Sequence, residues 1–210
     1  MNIQLRLEEK NDQKEVEILT REAFWNLYFP GCNEHLLAHN LRKTKEFIKE
    51  LNFVALDGNK IVGNIMYAET MIKSKNQEHK TITFGPLSVL PEYQNKGIGT
   101  KLLEHTKALA TKLGYKAIII YGDPTYYKKF GFVESKKYNI TNSELKYPAA
   151  LLILELHKNA LNGIEGIFDT GNTYHIDEKE LEKFETQFSK KEKLTTESQT
   201  KFLEMVTKYL

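Results

Sequence analysis

Apolar residues alternate with polar ones at Ile3, Leu5 and Leu7, the period of a strand with one buried face. The period then lengthens. Val16, Leu19, Ala23 and Leu27 share one helical face behind Asp12 and Glu15, which have capping spacing, and Pro30-Gly31 breaks the chain. Leu37, Leu41, Thr44 and Ile48 predict a second helix from about Glu34. Residues 53–56 and 61–71 read as strands joined by the tight turn Asp57-Gly58-Asn59. Residues 81–90 form another strand, interrupted by Gly85-Pro86. A helix starts near Gly97, with Ile98, Leu102, Leu109 and Leu113 inward and Gly114 as its stop. Residues 117–121 are wholly apolar, as in a strand covered on both faces. Asp123-Pro124 opens a short helix, because proline suits the first helical position, and Gly131 ends it. Phe132 opens a further strand, and the apolar run 149–156 follows Pro148.

The resulting order is β-α-α-β-β-β-α-β-α-β-β. It combines antiparallel hairpins with one strand-helix-strand crossover, from Thr81 through Tyr121. This predicts a mixed α/β (α+β) fold with a partly parallel sheet flanked by helices. The texture changes after His157. Asp177 with Glu180 has capping spacing before Leu181, Phe184 and Phe188, and Thr196 with Gln199 before Phe202, Val206 and Tyr209. The expected division is a domain over residues 1–157 and a mostly helical extension over 158–210. Its apolar faces must be buried somewhere, on the domain or on a partner subunit.

Composition narrows the function classes. Thirty Lys+Arg against 28 Asp+Glu leave a net charge of +2, too balanced for a general nucleic-acid or membrane-surface binder. The single cysteine, Cys32, excludes an intrachain disulfide or a multi-cysteine metal site, and the histidines lack ligand spacing. No apolar run approaches the ~20 residues of a spanning helix. A cytoplasmic protein, monomeric or homodimeric and without a bound metal, is the expectation. Cys32 would need an activating base to serve as a nucleophile, and a free structural thiol is the simpler reading.

The chemistry is concentrated in Leu87-Ser88-Val89-Leu90-Pro91-Glu92-Tyr93-Gln94-Asn95-Lys96-Gly97-Ile98-Gly99-Thr100, a strand, a glycine-containing loop and a helix start. Such a loop presents successive backbone N–H groups at the positive end of a helix dipole, where phosphate oxygens bind. Gly97 and Gly99 allow close backbone approach, and Lys96 and Lys101 add positive charge. Leu102 stands where a dinucleotide fingerprint needs its third glycine. Gly99-Thr100-Lys101 is not the Gly-Lys-Ser/Thr of a nucleoside-triphosphate loop.

Gln94-x-x-Gly97-x-Gly99, after a strand carrying Leu87-Ser88-Val89, closely resembles the pyrophosphate loop of the GNAT N-acetyltransferase superfamily. Tyr126-Tyr127-Lys128-Lys129-Phe130-Gly131-Phe132 is similar to that superfamily's aromatic-Tyr-x-x-x-Gly-Phe segment, and the hairpin 53–63 resembles its early hairpin. Together these cover residues 1 to about 157. The resemblance implies that acetyl-CoA binds where two parallel strands splay apart, here the 81–90 and 117–121 strands. Backbone groups of Leu87, Ser88 and Val89 would pair with the pantetheine arm and stabilise the oxyanion. Gln94, Asn95, Lys96, Gly97, Ile98, Gly99 and Thr100 would hold the pyrophosphate. Tyr126 would stack or pack at the cofactor, and Lys128 or Lys129 would meet phosphate or solvent.

The same resemblance implies that Tyr127 protonates the thiolate leaving group, since a phenol with a pKa near ~10 is protonated at pH 7. The base is less determined. Relatives often carry a carboxylate on the fourth strand, and Thr81-Ile82-Thr83-Phe84-Gly85 has none. Glu69 on the neighbouring strand is the candidate base, with Glu34 and His35 at the second helix as alternatives. The implied activity is acetyl transfer from acetyl-CoA to a primary amine of a small molecule. A non-catalytic acyl-CoA sensor and a protein N-acetyltransferase are the other readings.

Overall fold

The structure is a computed structural model describing residues 2–210. In chain order its elements are β1 (Ile3–Leu7), α1 (Gln13–Phe24), α2 (Glu34–Leu41), β2 (Phe53–Asp57), β3 (Lys60–Lys73), β4 (Glu78–Val89), α3 (Ile98–Lys112), β5 (Ala117–Tyr121), α4 (Pro124–Tyr127), β6 (Val133–Glu134), β7 (Ile140–Thr141), β8 (Leu151–Glu155), β9 (Gly166–Asp169), α5 (Glu178–Glu185) and α6 (Glu197–Val206). The sheet runs β1-β2-β3-β4-β5-β8-β6, with β9 pairing both β3 and β7. The β4–β5 and β7–β9 pairs are parallel and the others antiparallel. The mixed, partly parallel sheet flanked by helices is therefore the fold that the element order predicts.

The core lies where α3 crosses the sheet. Ile98, Leu102, Leu103 and Ala110 project from one face of α3 onto Ala55, Val62, Ile65, Tyr67 and Ile82. With the buried Thr106, Ile98, Leu102 and Ala110 recur every four residues, so the helix buries one stripe and leaves the other wet. On the opposite face α1 packs Val16 and Leu19 against Val54 and Ile61. Gly63 is fixed by this packing, because a Cβ there would lie 3.0 Å from the Ser88 carbonyl oxygen and 3.1 Å from Ile98.

Three local readings are corrected. Helix α2 stops at Leu41, and Thr44 folds its hydroxyl back onto the Leu41 carbonyl. The chain instead lays Phe47 against Ala68 as an isolated bridge, which pairs part of the β3 edge. Asp12 does not cap α1 with its side chain; the carboxylate accepts from the Glu9 N–H at 2.7 Å and pairs with Arg6. Thr196 and Gln199 form no capping box, since both side chains donate to the Asn26 carbonyl. The strand expected after Phe132 is present, two residues long and paired with β8.

The extension closes against the rest of the chain. Its β9 pairs with Met71–Lys73 at the end of β3 that β2 does not reach. That contact satisfies an otherwise open edge, and no sequence pattern announced it. Helix α5 is capped by Asp177 as expected, its carboxylate accepting from the Glu180 N–H at 2.8 Å. Glu185 at its end receives Arg21 and lies 2.9 Å from His35 Nε2. Phe184 is buried, 4.7 Å from the His39 ring centre. Loss of a buried Phe side chain costs about 3 kcal/mol or more. We expect Phe184→Ala to lower Tm by about 6–12 °C at this chain length. A calorimetric shift near zero would show that α5 does not pack.

Candidate active site

Strand β4 meets β5 at a single register pair, Ile82 with Ile118, while β5 is paired along its other edge with all of β8. Past Phe84 the two parallel strands separate. The cause lies at Gly85-Pro86: two residues of β4 face one of β3, between the pairs Tyr67–Phe84 and Ile65–Leu87. This is a bulge where proline lacks a ladder donor and glycine tolerates the bend. Leu87, Ser88 and Val89 thus keep β3 on one side and have an open backbone edge on the other. The Ser88 hydroxyl points away from that edge and donates to Thr20 Oγ1 at 3.2 Å. Only the backbone of Ser88 is available to a ligand there.

The loop after β4 leads into α3. Gln94 Nε2 donates to the Val89 carbonyl at 3.1 Å and ties the loop to the strand end. Asn95 (φ 59°) and Gly97 (φ 81°) take left-handed conformations, which these residue types tolerate best. Gly97 is the N-cap of α3, with no side chain capping it. The first helical bond runs from the Lys101 N–H to the Gly97 carbonyl at 2.9 Å. The N–H groups of Ile98, Gly99 and Thr100 are therefore left without intrahelical acceptors, as at any helix start. A Cβ at Gly97 would meet nothing within 4 Å, and one at Gly99 only ordinary contacts with Tyr126 Oη and Val89. The protein does not fill either position, and free N–H groups at a helix start are the kind of group on which an anion can rest. Lys96 donates to the Glu92 carbonyl at 2.7 Å, and Lys101 folds back onto the Ile3 carbonyl, away from the loop.

Helix α4 begins as the sequence predicts, with Asp123 accepting from the Thr125 N–H at 2.8 Å. It carries two tyrosines to different places. The Tyr126 hydroxyl lies beside Gly99 at the start of α3, and Lys129 sits over the Tyr126 ring at 4.1 Å. The Tyr127 ring packs among Phe84 and Phe132, with centroids at 5.7 and 5.6 Å. Gly122 makes room for it: a Cβ at Gly122 would fall 2.4 Å from that ring. Burial pushes the Tyr127 phenol well above its ordinary value, so it stays protonated.

Beyond Tyr127 opens a cleft of about 1230 Å³. Its walls are the end of β5, α4, Ala149 and Ala150 before β8, the turn after α1 with Leu27 and Tyr28, Glu34, and the face of α6 with Phe202, Met205 and Val206. Phe202 stacks on Tyr28 at 4.2 Å. Glu34, at the first position of α2, accepts from the Asn33 N–H at 3.0 Å. Burial nevertheless raises its carboxyl to about 7, outweighing the backbone N–H bonds that favour the charged form. The same burial, with the Glu34 charge nearby, raises Tyr28 to about 12.

The structure brings Tyr127 and Glu34 to one cleft and leaves Glu69 outside it. Glu69 is paired with Lys80 at 2.8 Å on the strand surface. His35 is fully buried and its pKa is lowered to about 4, chiefly by burial. Cys32 Sγ lies 3.4 Å from His35 Nδ1, and His35 reaches Glu185, an arrangement with the outline of a nucleophile triad. Burial pushes the thiol up and the imidazole down, however, so both stay neutral and the cysteine is inert. Tyr28, Gly122 and the α6 residues carried no motif. The break at Pro30-Gly31 and the apolar face of α6 were their only sequence signals. Among the described residues no group of His, Cys, Asp or Glu is placed to hold a metal ion. No helix among them is long and apolar enough to cross a membrane.

Residues 49–134 match the family model of the acetyltransferase (GNAT) domain. The uncharacterised N-acetyltransferase YhbS of Escherichia coli K12 is 23% identical over 169 residues, covering 79% of this chain and 94% of its own. The uncharacterised N-acetyltransferase YjhQ of the same organism is 26% identical over 150 residues, covering 71% of this chain and 77% of its own. The crystal structure of E. coli YhbS in complex with CoA superposes with a TM-score of 0.73 at 22% identity, over 83% of this chain and 92% of that one. A GNAT family acetyltransferase from Brucella melitensis in complex with acetyl-CoA gives 0.66 at 24% identity, over 82% and 98%. The matched segment contains the β4 bulge, the glycine loop at the head of α3 and Tyr127, so over those residues the chain is similar to the GNAT acetyltransferase domain, and it shares the fold of the GNAT structures.

Proposed function

We propose that this protein transfers the acetyl group of acetyl-CoA to a primary amine, with Tyr127 as the acid and Glu34 as the base. The observation that carries the reading is that β4 and β5 share one pair, Ile82 with Ile118, in a fold that also has a glycine loop at the head of α3 and a cleft lined by both Tyr127 and Glu34. The pyrophosphate would rest on the N–H groups of Ile98, Gly99 and Thr100, with Gln94, Asn95 and Lys96 shaping the loop. The pantetheine arm would pair along the backbone of Leu87 to Val89, and Tyr126 would flank it.

The acceptor enters as an ammonium and loses one proton to Glu34. The free amine attacks the thioester carbonyl carbon and forms the C–N bond. A backbone N–H on the open β4 edge stabilises the resulting oxyanion. The second nitrogen proton leaves to solvent as the intermediate collapses and the C–S bond breaks. The thiolate takes the Tyr127 proton, and solvent restores the phenol. The products are the amide and the free CoA thiol, with one proton released overall. Two titratable groups in one cleft, one held protonated and one poised near neutrality, favour catalysis over acyl-CoA sensing.

Gly97→Val tests the cofactor half of this reading. A β-branched residue at φ 81° is strained, and its side chain would project where the phosphates approach. The expected result is acetyl-CoA affinity weakened at least ~10-fold, about 1.4 kcal/mol, by calorimetric titration of a variant that melts as a folded protein. Unchanged affinity would sink the loop assignment. Thiol release from acetyl-CoA in the presence of amines tests the reaction itself.

A further inference from the structure

We propose that the cleft beneath α6 takes a primary amine carried on an aromatic or branched apolar body, with the ammonium at Glu34. The inference rests on the acetyltransferase reading above and names the acceptor class for it. At about 1230 Å³ the cleft is at the large end of small-molecule sites and far exceeds what a two-carbon amine fills. Its exposed lining is mostly apolar and partly aromatic, with Leu27, Tyr28, Tyr121, Phe202, Met205 and Val206 among the residues. The Tyr28–Phe202 stack spans the body of the chain and the extension, so the apolar wall is a built feature. Ser198 Oγ, donating to the Leu27 carbonyl at 2.8 Å, fixes α6 against that turn.

The charges are arranged asymmetrically. Glu34 has no ion-pair partner among the described residues and bonds only to backbone N–H groups. A carboxylate beside apolar walls is costly unless a cation joins it. Of the two cationic side chains at the cleft, Lys201 is drawn to Glu197 at 3.0 Å and Lys208 is exposed at the rim. Glu134 and Glu204 are exposed at the rim, where they attract a cation without binding it tightly. An acceptor bearing its own carboxylate or phosphate would meet four acids, Glu34, Asp123, Glu134 and Glu204, against the two lysines. A polyamine would set further ammonium groups against Met205 and Val206. One ammonium on an apolar body satisfies both the charge and the walls.

The test uses the full chain saturated with CoA. Titration calorimetry with 2-phenylethylamine and tryptamine is compared with ethanolamine, with spermidine, and with 2-phenylethanol, which keeps the body and lacks the ammonium. The arylalkylamines should bind at least ~10-fold more tightly than each comparator. Phe202→Ala should weaken them ~10-fold while acetyl-CoA affinity stays unchanged. Equal or tighter binding of ethanolamine, spermidine or 2-phenylethanol by the unaltered protein overturns the inference, as does absence of any arylalkylamine binding. Arylalkylamine binding without thiol release from acetyl-CoA upholds the amine site and removes the proposed reaction instead.

Discussion

Tyr127→Phe is expected to lower kcat by ~10² to 10⁴ while acetyl-CoA affinity changes little, the range typical for loss of a positioned acid. The substitution keeps the ring in the slot that Gly122, Phe84 and Phe132 form and removes only the proton. Burial holds the phenol protonated in the native protein, so the donor is present at every physiological pH. Steady-state thiol release on an identified amine, with acetyl-CoA titration of the same preparation, separates the chemical step from binding. Unchanged turnover would move the donor role to Tyr126 or to water. The position of the tyrosine depends on a neighbour the reaction never touches. With a Cβ 2.4 Å from the ring, any residue at Gly122 other than glycine must displace Tyr127.

Glu34→Gln should lower kcat/KM by ~10² or more at pH 7 and remove the acidic limb of the pH profile. The base works only as the anion. In the native protein activity should therefore fall as pH drops through about 7, the value to which burial raises this carboxyl. The Gln variant should show a low, flat rate across that range. Stability should move the other way. The folded-state pKa lies above the ordinary 4.5, so the stability this group contributes is complete below 4.5 and is lost as pH rises through about 7. Glu34→Gln should thus melt higher than the native protein at pH 8 and gain nothing at pH 4. Tyr28 and Cys32 lie close enough for the Glu34 charge to raise both, so the variant should also relax those two groups toward their ordinary values. An acidic limb that persists unchanged in the Gln variant would assign the titration to another group.

A loss of activity paired with a gain of stability would distinguish a base from a carboxylate that only holds the fold together. Glu185 is the contrasting case. It is held by Arg21 and His35, and its removal should strip α5 of its anchor without touching the cleft. Its neighbours Cys32 and His35 are brought to 3.4 Å by packing alone and are silenced by the same burial that brings them together.

The amino-acid order by itself determined the features that depend on backbone conformation. Gly97 needs a left-handed φ, Gly85-Pro86 forces a bulge, and Asp123-Pro124 caps and opens α4. Each follows from the steric limits of one or two residues. The period of apolar positions likewise separated strands from helices, because burying one face imposes a spacing of two or of three to four. Contacts between distant segments were decided only by the tertiary structure. Glu69 and Glu34 are both carboxylates at an element's surface, and nothing local distinguishes the one paired with Lys80 from the one facing Tyr127's cleft. Strand β9 reads as a glycine-flanked loop until the uncovered end of β3 gives it a partner. Phe202 could satisfy its apolar face against any surface, and Tyr28, 174 residues away in sequence, is the one that the fold presents. Local sterics act within a few residues and are written in the sequence directly. The side chain that a given residue meets depends on how the whole sheet closes, and that is a property of the folded chain.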